Sequence, residues 1–279
     1  MTVRVIIDSL GDLPSDIIKK LNITVIPLYV LFGTESFRDG VDMTNEQFYE
    51  RLTSSKISPT TSVPNLGTFI GVFENIAKTA DEILMITLSH KLSATYETAS
   101  KAAEMAKTKA KIKVIDSMNI IMGEGILTIQ AAEMAKKGAG LEEIVKKVQS
   151  NMPRIESRMA FDTLEYLKRG GRIGAAQAFL GSLLKINPVL VLKDGEVYPL
   201  SRERSRVKAI ESLYNWVLTY RKIEALAVED ATTPEEGNQL AKRLKEKFPD
   251  TTLYRSKVGA VIGAHTGPSV IAVSVLGDK

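Results

Sequence analysis

Short apolar runs that stop abruptly on polar, turn-forming residues punctuate the first half of the chain. Val3 to Ile7 ends at Asp8 and Ser9, with Gly11 and Pro14 just beyond, the pattern of a buried strand entering a loop. Ile23 to Phe32 reads as one further strand, Ile83 to Thr87 as the next, and Ile112 to Ile115, closing on Asp116 and Ser117, as another. Between these runs the spacing turns helical. Thr44 with Gln47 forms a capping-box pattern that opens a helix through about Leu52. The alanine- and lysine-rich stretch from Ser93 to Lys107 follows its strand directly, with Ser93 as the natural N-cap. A further helix is predicted from about Gly123 to Lys136. Leu141, Ile144, Val145 and Val148 then share one helical face, and Glu142 and Glu143 each precede a lysine by four residues, so an amphipathic helix should end before Pro153. Strands alternating with helices predict a parallel α/β sheet.

Beyond Pro153 the pattern changes. Val189 to Leu192 and Val197 to Leu200 flank Lys193-Asp194-Gly195-Glu196, a hairpin signal absent from the first half. Helices are predicted around Ser205 to Tyr220 and from Thr233, where Pro234 takes the first helical position and Glu236 completes a capping box. Leu240, Leu244 and Phe248 lie on one face of the second. Ile223 to Val228, Thr252 to Tyr254, Val258 to Ile262 and Val270 to Val275 all read as strands. The expected architecture is an α/β domain over residues 1–155 and an α+β domain with its own sheet over residues 156–279.

The 44% hydrophobic content of the 279 residues is enough to bury a sizeable core. The absence of cysteine excludes disulfides, thiolate zinc sites and thiol catalysis. Two histidines in unrelated contexts give no recognisable metal-ligand spacing. MTVRVIIDS lacks a basic leader with an apolar core, and no apolar run approaches the ~20 residues that span a bilayer, so a cytoplasmic location is expected. The net charge of +4 comes from interleaved acids and bases, which argues against a nucleic-acid partner. The densest basic stretch, SRERSRVK at 201–208, reads either as a solvated face or as a docking surface for an acidic partner.

Ligands of open α/β sheets bind beyond the carboxyl ends of the strands, where Asp8, Ser9, Ser89, Ser93 and Ser117 all fall. Ser93 stands out because a helix N-terminus offers unpaired N–H groups and partial positive charge to an anion, although simple N-capping explains it as well. PTTSVP at 59–64 supplies Thr60, Thr61 and Ser62 between two prolines, hydroxyls that could donate to an anion; a helix-entry turn explains the stretch equally well. In GAHTGP at 263–268, glycines permit close backbone approach around His265, which can donate to a carboxylate. In LKRGGRIG, paired glycines precede Arg172, whose guanidinium suits planar recognition of carboxylate or phosphate. Ile173 to Ile186 is small or apolar, as in a buried helix packed against core or lipid. Hydroxyls, one arginine and one histidine gathered around an anion point to a site for a small acid. A serine hydrolase could be drawn from Ser93, His265 and Asp8 or Asp116, but G-x-S-x-G is missing. GGRIG lacks the lysine and hydroxyl of a P-loop, so any ATP would belong to a partner.

Six ordered motifs carry a family resemblance: DSLGDLP at 8–14, PTTSVP, LSHKLSATY at 88–96, Asp116-Ser117, LEYLKRGGRIG at 164–174 with the following AFLGSLLKINPVL, and HTGP. With these the chain resembles the DegV family of bacterial fatty-acid-binding proteins, whose members serve as the acyl-binding subunit of fatty acid kinase. The resemblance implies a DegV-like two-domain fold enclosing a long-chain fatty acid such as palmitate, stearate or oleate, with the carboxylate near the domain boundary and the tail in an apolar tunnel. It implies a non-catalytic chain without cofactor. A separate ATP-dependent kinase subunit would phosphorylate the bound carboxylate, and the acyl group would pass to phospholipid synthesis, with transient contact at the membrane surface. By motif, Ser93 and Thr61 match carboxylate-binding hydroxyls, His265 and Arg172 the surrounding polar network, and Ser62 a weaker member. Arg202 and Arg206 match the segment turned toward the kinase. Ala94 replaces the family's usual glycine, His90 a common serine and Asn65 the usual serine, and MNIIMGEG departs from the usual sequence after Asp116-Ser117. A carrier or sensor of another apolar carboxylic acid, with no kinase partner, is the alternative.

Overall fold

The apolar runs of the first half become the strands of a parallel sheet in a computed structural model, which describes residues 2–179 and 186–279. In chain order the first half contains β1 (Val3–Asp8), α1 (Ser15–Leu21), β2 (Thr24–Ile26), β3 (Tyr29–Phe32), β4 (Glu35–Arg38), α2 (Asn45–Ser54), β5 (Thr60–Ser62), α3 (Leu66–Ile76), β6 (Glu82–Thr87), α4 (Thr95–Met105), β7 (Lys111–Asp116), α5 (Ile121–Lys136) and α6 (Leu141–Asn151). The second half contains β8 (Ile155–Ala160), α7 (Glu165–Arg169), β9 (Asn187–Lys193), β10 (Glu196–Glu203), α8 (Arg206–Val217), β11 (Lys222–Asp230), α9 (Pro234–Lys247), β12 (Thr252–Lys257), α10 (Ala260–Thr266) and β13 (Ile271–Asp278).

The described residues form three sheets: a parallel one in the order β2-β1-β6-β7, a small antiparallel one in the order β4-β3-β5, and a mixed one in the order β10-β9-β8-β13-β11-β12. Within the mixed sheet only β11 and β12 run parallel. The β9–β10 hairpin forms as its turn predicts, with Asp194 and Gly195 both at positive φ. Helices α3 and α4 cover one face of the parallel sheet through Phe69, Phe73, Ala99 and Ala102, and α5 and α6 cover the other. Fully buried phenylalanines such as Phe69 and Phe73 each contribute roughly 1.5–3 kcal/mol. Buried on nearly every side, α5 lies between β1 and the mixed-sheet strands β11 and β13. A core cluster joins the halves, packing Leu10, Leu28 and Phe48 with Phe161, Leu190 and Val261.

Four expectations fail for local physical reasons. The run Ile23 to Phe32 is two strands in two different sheets, because the chain turns at Pro27 and Leu28. Leu28 finds its partners off the ladder: its N–H donates to the Ser9 hydroxyl at 3.2 Å and its carbonyl accepts from Asp39 N–H at 2.8 Å. Ser93 is not an N-cap. Helix α4 starts later, behind Ala94, with no side-chain cap, and the Ser93 Oγ lies 2.9 Å from the Thr95 Oγ1. Thr233 and Glu236 form no capping box, since both accept from Arg206, at 3.2 Å and 2.8 Å. Val258 to Ile262 is no strand: most of it opens α10, and short apolar runs fit either element until tertiary partners decide. Those partners are Asp12 and Asp39, which take the first N–H groups of the helix. The Thr44–Gln47 capping box, by contrast, forms with both of its hydrogen bonds.

Candidate functional site

Four loops and edges meet where the two halves join. Thr61 and Ser62 lie on β5, held in place by pairing with β3, where Thr61 is opposite Val30. Ser93 sits between β6 and α4, Arg172 just past the glycine pair that ends α7, and His265 in the last turn of α10. All five side chains line one cavity of ≈ 180 Å³. The rest of its wall is mainly apolar, including Leu28, Leu92, Ile120, Val197 and Ile262, and among the described residues it holds one cation and no carboxylate.

The polar groups are tied to one another across the halves. His265 Nε2 and Thr61 Oγ1 lie 2.8 Å apart. Arg172 spans the junction: its Nε donates to the Leu92 carbonyl at 3.2 Å and its Nη1 to the Gly170 carbonyl at 2.8 Å. Burial, and secondarily the Arg172 charge, push the His265 pKa down from 6.5 to about 4. His265 is therefore neutral at physiological pH. Its Nδ1 is buried with no hydrogen-bond partner among the described residues. Glycine is required at position 170 because a Cβ there would collide with that nitrogen. Such a cavity can present hydroxyl, imidazole and guanidinium donors to an anion while its apolar wall takes a tail.

The other polar residues at strand ends serve the fold. Asp8 accepts from Leu10 N–H at 3.0 Å and Leu88 N–H at 2.9 Å, and burial raises its pKa to about 7. Ser89 donates to the Gly195 carbonyl at 2.8 Å, and Ser117 closes a local turn on Asn119. The serine-hydrolase arrangement is not assembled, because the His265 Nε2 is taken by Thr61, Ser93 by Thr95, and Asp116 pairs with His90. That pair accounts for one departure from the family pattern, and a second is a helix cap: Asn65 accepts from Thr68 N–H at 3.0 Å. Ala94 lines the cavity.

The two arginines of the 201–208 stretch part company. Arg202 is exposed, with its guanidinium 4.4 Å from the centre of the Phe179 ring and an Nη2 bond to the Ala178 carbonyl at 3.0 Å. Arg206 is instead an internal brace. It holds Glu236 and Asp162 in ion pairs of 2.7 and 2.9 Å and donates to the Ser269 carbonyl at 2.7 Å, so its charge is committed within the fold. The apolar stretch from Ile173 begins as a 3-10 turn over Gly174–Phe179, not the expected α-helix, and its continuation at residues 180–185 lies outside the described residues.

Sequence reasoning gave no role to the buried acids Asp12, Asp39, Glu124 and Glu229. Burial raises Asp39 to about 6 and Glu229 to about 8, and pushes Asp12 and Glu124 well above the carboxylate range. No group of His, Cys, Asp and Glu among the described residues is arranged to hold a metal ion. The apolar wall was equally silent in the sequence, since nothing separates Ile120 or Val197 from ordinary core residues.

Comparison with known proteins gives a consistent picture. A sequence model described as "Uncharacterised protein, DegV family" matches residues 2–278. A DegV domain-containing protein of Caldanaerobacter subterraneus subsp. tengcongensis is 37% identical over 97% of each chain. The crystal structure of DegV from Bacillus subtilis, described as a fatty acid binding protein, superposes with a TM-score of 0.92 at 30% identity over the whole of both chains. A stearic acid-binding protein from Eubacterium ventriosum superposes with a TM-score of 0.90 at 27% identity, over 99% of this chain and 98% of that one.

Proposed function

The chain belongs to the DegV family, and from that premise we propose that it binds a long-chain fatty acid, with the carboxylate held by Thr61, Ser62, Ser93, Arg172 and His265. One observation carries the reading: four segments far apart in sequence turn these donors into one largely apolar cavity whose only charged wall group, among the described residues, is a cation. An ionised carboxylate taken out of water without partners costs several kcal/mol, which is why donors must cluster around it. Arg172 supplies a planar fork suited to carboxylate, and a neutral His265 adds an N–H without a charge of its own to desolvate. Each methylene buried contributes about 0.8 kcal/mol, so a tail of ~16 carbons outweighs the cost of fixing the headgroup. The stearic acid bound by the Eubacterium ventriosum relative supports a ligand of the palmitate, stearate or oleate class.

In this reading the chain is a holder, not a catalyst. Neither Ser93 nor Thr61 has a general base arranged to activate it for covalent chemistry, since the histidine beside Thr61 titrates near 4. Phosphorylation of the bound carboxylate falls to a separate ATP-dependent kinase subunit in the cytoplasm, and the acyl group then moves toward phospholipid synthesis through brief contact with the membrane surface. Arg202 is the exposed cation that supports a kinase-facing role; Arg206 drops out because its partners are internal. The test is native mass spectrometry of the purified protein, followed by denaturing extraction and lipid identification. A stoichiometric fatty acid is expected. A protein that emerges empty and takes up no palmitate or oleate supplied in excess would end the lipid reading and leave the likeness to the family as one of fold.

A further inference from the structure

Helix α10 belongs in sequence to the second half, yet groups of the first half hold both of its ends. At its start, Asp12 Oδ1 accepts from Gly259 N–H at 3.0 Å and Asp39 Oδ1 from Ala260 N–H at 3.1 Å. Just upstream the Tyr49 hydroxyl donates to the Val258 carbonyl at 3.0 Å, and the Ser256 hydroxyl donates to the Asp12 carbonyl. Asp39 is itself fixed by the Ser9 hydroxyl at 2.8 Å, and that same oxygen receives Leu28 N–H. At the far end His265 meets Thr61 of β5.

The first N–H groups of a helix have no partner within it, and buried carboxylates placed there satisfy them and gain from the helix dipole. Every residue of α10 except His265 is buried, so its first N–H groups depend on these protein acceptors. A helix rises about 1.5 Å per residue, which puts the imidazole roughly 8 Å along the axis from the two carboxylates. That is too far for Asp12 or Asp39 to touch a carboxylate beside Thr61. It is near enough for one rigid element to transmit where its start is seated. His265 has no slack on its other side, where Gly170 packs against Nδ1.

We propose that Asp12 and Asp39 are positioning residues for His265: by capping the start of α10 from the opposite half, they set the height and rotation at which the imidazole enters the cavity. This inference rests on the reading of the cavity as a fatty-carboxylate site. It adds the pair that holds the site's histidine in register with its threonine.

The test uses the full-length protein stripped of lipid, as wild type, Asp39→Ala, Asp39→Asn and Ser9→Ala. Titration of the His265 ring protons by NMR is the first readout, assigned by His90→Gln because the chain has only two histidines. The second is the Kd for palmitate. In Asp39→Ala the His265 midpoint should climb from about 4 toward 6.5, and palmitate affinity should fall roughly tenfold. Asp39→Asn keeps an oxygen for Ala260 N–H and should lie between it and the wild type; Ser9→Ala should move the midpoint the same way by less. A role confined to folding would lower the melting temperature and leave the His265 titration of the folded protein where it was. An unmoved midpoint in folded Asp39→Ala overturns the proposal. If that variant does not fold, unmoved midpoints in both Asp39→Asn and Ser9→Ala overturn it. Wild-type protein that binds no palmitate refutes the ligand reading alone, since the titration needs no lipid.

Discussion

The two ends of α10 rest in opposite electrostatic settings. Its start faces buried acids of the first half, Asp12 and Asp39, and the nearby Glu229 carboxyl raises the cost of ionising Asp12. Its end delivers His265 into a cavity that holds, among the described residues, one arginine, the hydroxyl-bearing residues Thr61, Ser62, Ser93 and Thr266, and no acid. Burial acts on both in the same way, by penalising charge, yet the outcomes diverge. The acids retain protons far above their usual range, and the histidine loses its proton far below its own. Ionisation is thus discouraged in the acids at the start of the helix, and among the described residues the charge on the cavity wall is the positive one of Arg172. A molecule built this way separates its buried acids from the place where it can receive a foreign anion.

The sharpest way to break this contrast is to remove the charge at the cavity. Arg172→Ala should weaken palmitate binding about 100-fold, as expected for losing a charge-assisted partner of a carboxylate, with little change in melting temperature because the guanidinium is exposed. Titration calorimetry beside thermal melts separates the two effects. An affinity within twofold of wild type would remove Arg172 from the site.

A smaller effect tests the acid side. Asp39, Asp8 and Glu229 have folded-state pKa values of about 6, 7 and 8, above the unfolded values of about 4. The folded protein therefore binds more protons than the unfolded chain across that window, and stability falls as pH rises from about 4 to 8. His265 works in the other direction. Its folded value is depressed, so its contribution is lost as pH falls from 6.5 toward 4. Melting temperature should accordingly decline between pH 6.5 and 8.5. Glu229→Gln, which keeps an oxygen for Met122 N–H, should flatten that decline and gain about 1 kcal/mol at pH 8.5. A decline as steep as in the wild type would show that Glu229 does not hold its proton.

The two regions also differ in how legible they were. Thr61, Ser62, Ser93, Arg172 and His265 could be picked from short polar motifs, because hydroxyls between prolines, an arginine after paired glycines and a rare histidine are conspicuous against apolar runs. Their local settings were less legible. Ser93 reads as a helix cap and instead pairs with Thr95, and nothing in GAHTGP shows that His265 stands in the last turn of a helix. Nothing local shows that Val258 to Ile262 is not a strand, since the groups that start α10 lie more than two hundred residues away in sequence. Asp12 sits inside a motif and Asp39 inside a plain turn, and neither shows a task until the halves are packed together. Arg206 is the converse case, a cation that a basic stretch marks as a surface group and that tertiary contacts draw inward. The parallel sheet and the β9–β10 hairpin were readable because period and turn chemistry are local; the small β4-β3-β5 sheet was not, because its strands are short and Pro27 hides the break.

The most direct measurement is the ¹³C NMR signal of carboxyl-labelled palmitate added to the delipidated protein, followed from pH 5 to 8 in the wild type and in Arg172→Ala. The account predicts one bound resonance, resolved from free palmitate, that stays ionised across the range in the wild type and shifts in the variant. A bound resonance that titrates like the free acid and is the same in both proteins would contradict it.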